Sequence, residues 1–312
     1  MERKIVMDEA LLTKCTLCPR ECKVNRLKGQ VGFCGADAQV KIARAALHEW
    51  EEPCISGING SGTIFFSHCT LGCVFCQNYE ISTMGKGKII DINRLAEICL
   101  ELQEQGAHNI NFVTATHYVL HIKEAIGIAK RRGLVIPIVY NTSGYEKVET
   151  LKHLEGYVDI YLPDFKYFKS SYARKYSKAK EYSEYAKRAI EEMVRQVGAP
   201  RFNKQGLMEK GVIVRHLMLP GLLFDSKHII DYLYKTYKDE IYISLMNQYT
   251  PLKHVASYPE LNRSLNAQHY DYMVDYAIAL GIENGFIQEG ETNKESFIPA
   301  FNEEGVEPFT RK

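Results

Sequence analysis

Three cysteines stand close together in the stretch Cys69-Thr70-Leu71-Gly72-Cys73-Val74-Phe75-Cys76. At this spacing, three thiolates can surround one compact metal centre, but they are one ligand short of a closed zinc site or a fully ligated iron–sulfur cluster. A missing ligand suits catalysis, because one iron is then free to bind an amino acid through its amine and carboxylate. The alternative is a zinc site completed by a remote cysteine or by His68. Since His68 adjoins Cys69, both side chains can hardly reach one metal.

Four more cysteines form a second group near the start of the chain: Cys15, Cys18, Cys22 and Cys34, spaced C-x2-C-x3-C-x11-C. Four thiolates can close a tetrahedral site completely. A structural zinc knuckle and a second iron–sulfur cluster both fit a thiolate-only ligand set, and the sequence does not separate them. Disulfides are disfavoured for a cytosolic chain. We assign no role to Cys54, and the helical pattern around Cys99 predicts a buried, inert thiol.

Composition favours an ordinary soluble globular protein, with 46% apolar and 25% charged residues among 312. A chain of this length buries a large core without metals, so a metal site is expected to be functional. The net charge of +1 gives no indication of a nucleic-acid partner. No apolar run approaches the ~18–20 residues of a membrane span, and the first residues contain no signal-peptide core. We therefore expect a cytoplasmic protein without a membrane or nucleic-acid partner.

Short β-branched or aromatic stretches alternate with helical patterns from Thr63 onward. Asp91 is predicted to cap the first of these helices. A series of βα units implies a parallel sheet, and an open doubly wound sheet and a partial barrel both fit. The predicted strands are 63–67, 109–113, 136–140, 157–162, 212–217 and 241–245.

Polar residues follow each predicted strand. Because ligand sites of parallel sheets gather at the carboxyl ends of the strands, we expect one pocket ringed by these residues. A tyrosine-rich pattern after Lys169 has helical spacing and is interpreted as core packing rather than a cofactor site. The strand-end segments are 67–69, 114–117, 141–144, 164–166, 215–216 and 247–249.

The cysteine loop after the first strand of a βα series resembles the signature of the radical S-adenosylmethionine (SAM) superfamily. The wider stretches 51–57, 60–67 and 75–78 resemble the branch described as pyruvate formate-lyase activating enzyme-related. The resemblance covers nearly the whole chain. It implies an α/β fold, a partial (β/α)6 TIM-like barrel over residues 62–312, preceded by a Cys-rich metal-binding segment over residues 1–61. It also implies an oxidoreductase that reductively cleaves SAM to methionine and a 5′-deoxyadenosyl radical.

The resemblance further implies roles for particular residues. Cys69, Cys73 and Cys76 would ligate a [4Fe–4S] cluster. Thr114-Ala115-Thr116 stands where many relatives carry Gly-Gly-Glu, at the SAM amino group, and this departure leaves backbone carbonyls to make the contact. Asn141 and Ser143 would face the methionine or ribose of SAM.

The remaining implied residues carry charge or can titrate. Arg215 would neutralise the SAM carboxylate, a task that suits a planar guanidinium. Asp164 and Lys166 match an Asp-x-Lys pair near SAM in glycyl-radical activating enzymes. His216 is a catalytic candidate by position alone. Plain ion pairing is the alternative for Asp164 with Lys166, and for Arg215 with an acidic neighbour.

The expected partners follow from the same resemblance. They are SAM, a one-electron reductant such as flavodoxin or ferredoxin, and either a glycyl radical enzyme or a small molecule as substrate. The competing function is a zinc or iron–sulfur module that binds RNA or protein without radical catalysis. That alternative predicts a basic surface with clustered aromatic residues, which the balanced charge opposes.

Overall fold

The computed structural model describes residues 9–288 and 299–308. A ten-stranded sheet forms the centre of this part of the chain. Its strands are β1 Val40–His48, β2 Ser61–Phe66, β3 Lys88–Ile90, β4 Ile110–Val113, β5 Ile138–Thr142, β6 Ile160–Pro163, β7 Arg201–Phe202, β8 Met208–Leu217, β9 Tyr242–Met246 and β10 Gly285–Ile287.

Helices connect most of these strands. The α-helices are α1 Glu9–Thr13, α2 Pro53–Ser56, α3 Tyr79–Ser82, α4 Ile92–Glu104, α5 Val119–Arg131, α6 Val148–Leu151, α7 Ser170–Ser177, α8 Tyr182–Val197, α9 Leu223–Tyr237 and α10 Ala267–Ala279. Short 3-10 helices span Arg26–Lys28, Thr116–Tyr118, Lys152–Leu154, Lys238–Glu240 and Lys253–Val255. The predicted cap of α4 is confirmed, because the Arg94 N–H donates to the Asp91 side chain at 2.8 Å.

The sheet is mostly parallel, as predicted. Strands β2, β4, β5, β6, β8 and β9 coincide with the six predicted strands and pair in parallel in that order. Strand β10 adds a parallel edge beyond β9. The order β10-β9-β8-β6-β5-β4-β2-β1-β3 leaves β3 and β10 at opposite edges, so the sheet stays open. The α/β fold and the open, partial-barrel form are therefore confirmed.

The first part of the chain contributes strands that the sequence did not indicate. Strand β1 pairs antiparallel with β2, and β3 pairs antiparallel with β1. Residues 40–48 thus belong to the same sheet as the βα series. The division of the chain at residue 61 stays a prediction.

The tyrosine-rich helix predicted after Lys169 is broken into α7 and α8. The break lies at Lys178 and Glu181, which both adopt left-handed backbone conformations (φ 50° and 53°). The Arg20 guanidinium donates to the carbonyls of Ser177 and Lys178, which replaces helical hydrogen bonds at the end of α7. Tyr176 and Tyr182 are buried on either side of the break, so the interpretation of this stretch as core packing holds.

The hydrophobic core covers the strands of the sheet. All six residues of β2 are buried, as are all residues of β4, β5 and β6. Such continuous burial is typical of parallel strands with side chains packed on both faces. Within the described residues, no helix has the length and apolar character needed to cross a membrane.

Candidate active site

The three-cysteine loop starts directly after β2, where the backbone of His68 turns into a left-handed conformation (φ 75°). Gly72 (φ 68°) turns the chain again between the first two cysteines. A Cβ atom at this position would lie 3.1 Å from the Phe33 ring, so both the backbone conformation and the packing favour glycine. The loop is thereby folded tightly against the N-terminal segment.

Each sulfur of the loop accepts a hydrogen bond. Such bonds favour the thiolate and tune the potential of an iron–sulfur cluster. Burial raises the pKa of the Cys73 thiol to about 12, so metal binding has to displace its proton. The donors are the Leu71 N–H to Cys69 Sγ (3.3 Å), the Ser177 hydroxyl to Cys73 Sγ (3.2 Å) and the Ser82 hydroxyl to Cys76 Sγ (3.3 Å).

A cavity of about 680 Å³ opens above this loop. Its volume lies within the ~300–1,000 Å³ that small-molecule sites occupy. The structure brings together there most of the residues predicted from the sequence, from the ends of five separate strands. Those lining the cavity are Cys69, Cys73, Cys76, Thr114, Asn141, Ser143, Asp164, Lys166 and Arg215.

A buried network of charged side chains forms one wall of the cavity. Arg215 is its centre and donates to Asp164 Oδ1 (3.0 Å), Glu51 Oε2 (3.0 Å) and Asn141 Oδ1 (2.6 Å). Lys166 Nζ donates to the other oxygen of Asp164 at 2.6 Å. The two cations of this network thus face two carboxylates, and a third buried carboxylate, Glu52, lines the same cavity.

The network determines the protonation of its members. Burial alone raises the pKa of Asp164, but Lys166 and Arg215 together hold it below its ordinary value. Burial raises the pKa of Glu51, and Arg215 offsets only part of this rise. Burial lowers the pKa of Lys166, but Asp164 more than reverses that effect. Asp164 is therefore the firmly ionised carboxylate of the wall, and Glu51 is its more easily protonated one.

Glu51 is a site residue that the sequence interpretation missed. Its Oε1 accepts from Asn111 (3.1 Å) and Asn141 (3.2 Å), so it connects β4, β5 and β8 at the cavity wall. Glu51 lies between β1 and α2, after a strand that the sequence did not indicate, so the search at predicted strand ends did not include it. The only available signal was the acidic pair Glu51-Glu52 inside the stretch that carries the family resemblance.

Comparison with known proteins identifies the family. The family model of the Radical SAM superfamily matches residues 63–233, which is more than half of the chain. The chain belongs to the radical SAM superfamily. It is 29% identical over 287 residues to the uncharacterized protein MJ0674 of Methanocaldococcus jannaschii, covering 89% of this chain and 78% of that protein.

The chain is also similar to solved structures at low sequence identity. SuiB of Streptococcus suis is 15% identical, with a TM-score of 0.49 over 73% of this chain and 48% of that chain. A radical SAM methyltransferase of Sphaerobacter thermophilus is 14% identical, with a TM-score of 0.48 over 73% of this chain and 66% of that chain. The chain therefore spans about half the length of SuiB.

Membership of the radical SAM superfamily implies a [4Fe–4S] cluster and SAM as its cofactors. The residues present fit both. Three thiols, each with a hydrogen-bond donor at its sulfur, line the same cavity as the charged wall. The cavity is polar enough to hold the amino acid and ribose parts of SAM, and large enough to fall within the range for a bound small molecule.

The segment Thr114-Ala115-Thr116, predicted to stand where many relatives carry Gly-Gly-Glu, divides between cavity and core. Thr114 lines the cavity with a left-handed backbone (φ 61°), which is unusual for a β-branched residue and natural for glycine. Ala115 and Thr116 are buried outside the cavity lining. Their predicted contact with SAM therefore stays a prediction, and Thr114 is the member of the three that faces the site.

Thr116 instead contacts Glu146, a second residue that the sequence interpretation missed. Glu146 is 1% exposed, and its Oε1 accepts from the hydroxyls of Thr116 (2.6 Å), Tyr140 (3.2 Å) and Thr142. Its Oε2 has no hydrogen-bond partner among the described residues. Burial raises the pKa of Glu146 to about 7. This carboxyl therefore connects the segments at the ends of β4 and β5 beside the cavity.

We expect Glu146→Gln to be more stable than the wild type at pH 8 by roughly 1–3 kcal/mol, and little different at pH 5. When folding raises the pKa of a carboxyl, the protein loses stability as pH rises from the ordinary pKa toward the raised one. The free energy of unfolding then falls by up to ~1.4 kcal/mol per pH unit. Glutamine keeps the acceptor oxygen and removes the charge. Urea unfolding at both pH values measures the effect, with exposed Glu149→Gln as control. Equal stability of Glu146→Gln and wild type at pH 8 would show that Glu146 is ionised without cost.

His216 lies behind the cavity rather than in its lining. Its ring nitrogens bond the Phe165 carbonyl and the Ser226 hydroxyl, each at 2.8 Å. Burial lowers its pKa to about 4, so the ring is neutral at pH 7. Both nitrogens thus have partners within the fold, and the predicted catalytic role of His216 is left without a contact that would support it.

Arg20 connects the N-terminal segment to the three-cysteine loop. Its guanidinium donates to the carbonyls of Thr70 (3.0 Å) and Leu71 (2.9 Å), inside the loop, and to those at the end of α7. The guanidinium also lies 3.6 Å from the centre of the Phe33 ring. The loop that is predicted to hold the cluster is therefore clamped from outside by one side chain.

We expect Arg20→Met to lower the free energy of unfolding by about 3 kcal/mol or more, because hydrogen bonds from charged donors contribute roughly 1.5–3 kcal/mol each. The same variant should bind less iron after anaerobic reconstitution, since the loop loses the hydrogen bonds that fix its Thr70 and Leu71 carbonyls. Urea unfolding and iron analysis measure the two effects. The exposed Arg131→Met serves as control. A variant with wild-type stability and iron content would contradict the clamping role.

The four N-terminal cysteines also come together, at a second and smaller cavity. All four are free thiols. Cys54 and Cys99 are buried elsewhere, and the Cys99 thiol donates to the Leu95 carbonyl at 3.2 Å. The expectation of an inert helical thiol at Cys99 agrees with this contact.

Proposed function

We propose that Cys69, Cys73 and Cys76 hold the [4Fe–4S] cluster and that the adjoining cavity binds SAM and the substrate. One observation carries the proposal: a single cavity joins the three sulfur atoms to the charged wall at the strand ends. When bound, the reduced cluster supplies the electron that cleaves SAM into methionine and a hydrogen-abstracting 5′-deoxyadenosyl radical. The reductant is proposed to be a flavodoxin or ferredoxin of the cytoplasm.

The residues of the wall position SAM. Arg215 uses three N–H donors within the protein, and a guanidinium has five, so two remain for the SAM carboxylate. Lys166 and Asp164 form an ion pair whose two charges both face the cavity, where the amino acid part of SAM carries matching charges. Asn141 and Ser143, at the end of β5, are proposed to contact the methionine or ribose.

We further propose that the enzyme belongs to the pyruvate formate-lyase activating enzyme-related branch and takes its hydrogen atom from a protein glycine. Parts of the stretches that carry this resemblance line the cavity, including Glu51, Glu52, Gln77 and Asn78. Two large apolar residues of the lining are also well exposed, Trp50 at 63% and Ile287 at 50%. An exposed apolar rim supports docking of a peptide segment over the cavity.

The test of SAM cleavage uses the full chain, reconstituted anaerobically with iron and sulfide and reduced with dithionite. Added SAM should yield 5′-deoxyadenosine and methionine in equal amounts. A chain that carries its cluster and forms no 5′-deoxyadenosine would overturn the proposed function.

The substrate is tested separately, by adding pyruvate formate-lyase to the reduced enzyme and SAM. The activating role predicts a glycyl radical signal in electron paramagnetic resonance spectra. Formation of 5′-deoxyadenosine without that signal would keep the radical chemistry and reject the activation of pyruvate formate-lyase.

A further inference from the structure

We propose that Cys15, Cys18, Cys22 and Cys34 hold a second [4Fe–4S] cluster, distinct from the one at the three-cysteine loop. The four thiols, separated by up to 19 positions in the sequence (15 to 34), line one small cavity together with Arg26 and His117. The inference does not depend on SAM cleavage.

The backbone around these cysteines is shaped to surround a metal centre. Main-chain hydrogen bonds join Cys15 N to Val24 O (2.9 Å) and Lys23 N to Cys15 O (2.8 Å), closing the first three cysteines into one loop. A Cβ atom on Gly32 would lie 2.6 Å from Cys22 Sγ, so only glycine lets the chain approach that sulfur. The Phe33 N–H donates to the same sulfur at 3.2 Å. Such a close approach of backbone N–H groups to sulfur is typical of metal–thiolate sites.

A buried positive charge next to the thiols requires an anionic partner. Arg26 is 1% exposed and lines the cavity. Its guanidinium donates only to carbonyl oxygens, those of Asp37 (3.0 and 2.5 Å) and His117 (2.6 Å), and forms no ion pair with a carboxylate in residues 9–288 and 299–308. A buried cation is costly without a counter-charge. Four thiolates around a cluster carry net negative charge and would supply it.

His117 lines the same cavity as a neutral side chain. Its Nε2 lies 2.9 Å from the Ser67 carbonyl and is therefore the nitrogen that carries the proton. Its Nδ1 is buried and has no hydrogen-bond partner within the described part of the chain. Burial lowers the pKa of His117 to about 3, so the ring stays neutral and adds no charge of its own.

The open space beside the thiols favours a cluster over a single zinc ion. Zinc bonds of ~2.3 Å would hold tetrahedral sulfurs about 3.8 Å apart. Among the described residues, no group of three His, Cys, Asp or Glu side chains is arranged to hold one metal ion. The cavity that the four thiols line together with six other residues measures about 10 Å³. A space that admits a water molecule leaves the sulfurs that border it about 3 Å or more from its centre, too far for zinc. A four-iron cube instead holds its thiolates apart.

The experiment compares the full-length wild type with two matched variants after anaerobic reconstitution with iron and sulfide. The loop variant carries Cys69→Ser, Cys73→Ser and Cys76→Ser, and the N-terminal variant carries Cys15→Ser, Cys18→Ser, Cys22→Ser and Cys34→Ser. We expect about eight iron and eight acid-labile sulfide ions per wild-type chain and about four of each in either variant. A variant with all seven substitutions should hold none, which excludes adventitious iron.

The loop variant decides the matter even where the N-terminal variant fails to fold. After reduction it should give a [4Fe–4S] signal in electron paramagnetic resonance spectra that SAM does not alter, because all four irons have cysteine ligands. A loop variant without iron, or with one zinc ion and no labile sulfide, would overturn the second cluster. Failure of SAM cleavage in the wild type would instead overturn only the proposed function.

Discussion

Cys73→Ser is expected to abolish 5′-deoxyadenosine formation. The loss should exceed the roughly 10–100-fold that removal of an outer-shell partner costs, because it removes one of three cluster ligands. Cys73 is almost fully buried, and its sulfur accepts a hydrogen bond from Ser177 rather than facing solvent. Serine preserves the size and the polar contact, so the fold should persist while the soft sulfur ligand is lost.

The matched control is Cys99→Ser, also a fully buried cysteine. Its hydroxyl can donate to the Leu95 carbonyl as the thiol does, so iron content and SAM cleavage should stay near those of the wild type. The measurements are iron and sulfide per chain and 5′-deoxyadenosine formed per hour. Retained activity in Cys73→Ser, or an equal loss in Cys99→Ser, would show that the three-cysteine loop is not the catalytic centre.

The six strands of the βα series could be predicted because their signal is local. Each is a short β-branched or aromatic stretch between helical patterns, and the predicted bounds differ from the observed ones by at most four residues at either end. Strand β1 gave no such signal, because three alanines and three polar or charged residues interrupt its nine positions. It forms a strand through pairing with β2 and β3, which its own sequence does not specify.

The site could be predicted where chain topology alone brings residues together. Parallel strands end at one edge of the sheet, so Asn141, Asp164 and Arg215 meet although they are far apart in sequence. Glu51 and Glu146 could not be found in this way. Glu51 bonds Arg215 across 164 positions from a loop that follows no parallel strand, and Glu146 is recognisable only once the hydroxyls of three other residues converge on it.

The charged wall leads to the second large prediction. Arg215→Met is expected to lower the free energy of unfolding by about 3–5 kcal/mol at pH 7, because it leaves Glu51 and Asp164 as buried carboxylates without their central cation. Methionine fills a similar volume, so the loss reports charge rather than a cavity. SAM cleavage should also fall, since the wall loses the side chain that holds Asn141 and Asp164 in place.

The control for this variant is Arg195→Met. Arg195 also pairs with two carboxylates, those of Glu192 and Glu155, but half of its side chain is exposed, so the urea midpoint should change little.

The pH dependence of stability separates the Arg215 and Arg195 variants further. In wild type the lowered pKa of Asp164 gives stability that is lost as pH falls, whereas Arg215→Met should gain stability relative to wild type as pH falls and Glu51, left without its cation, takes up a proton. Equal urea midpoints for the two variants at pH 7 would mean that the wall is solvated well enough to need no central cation.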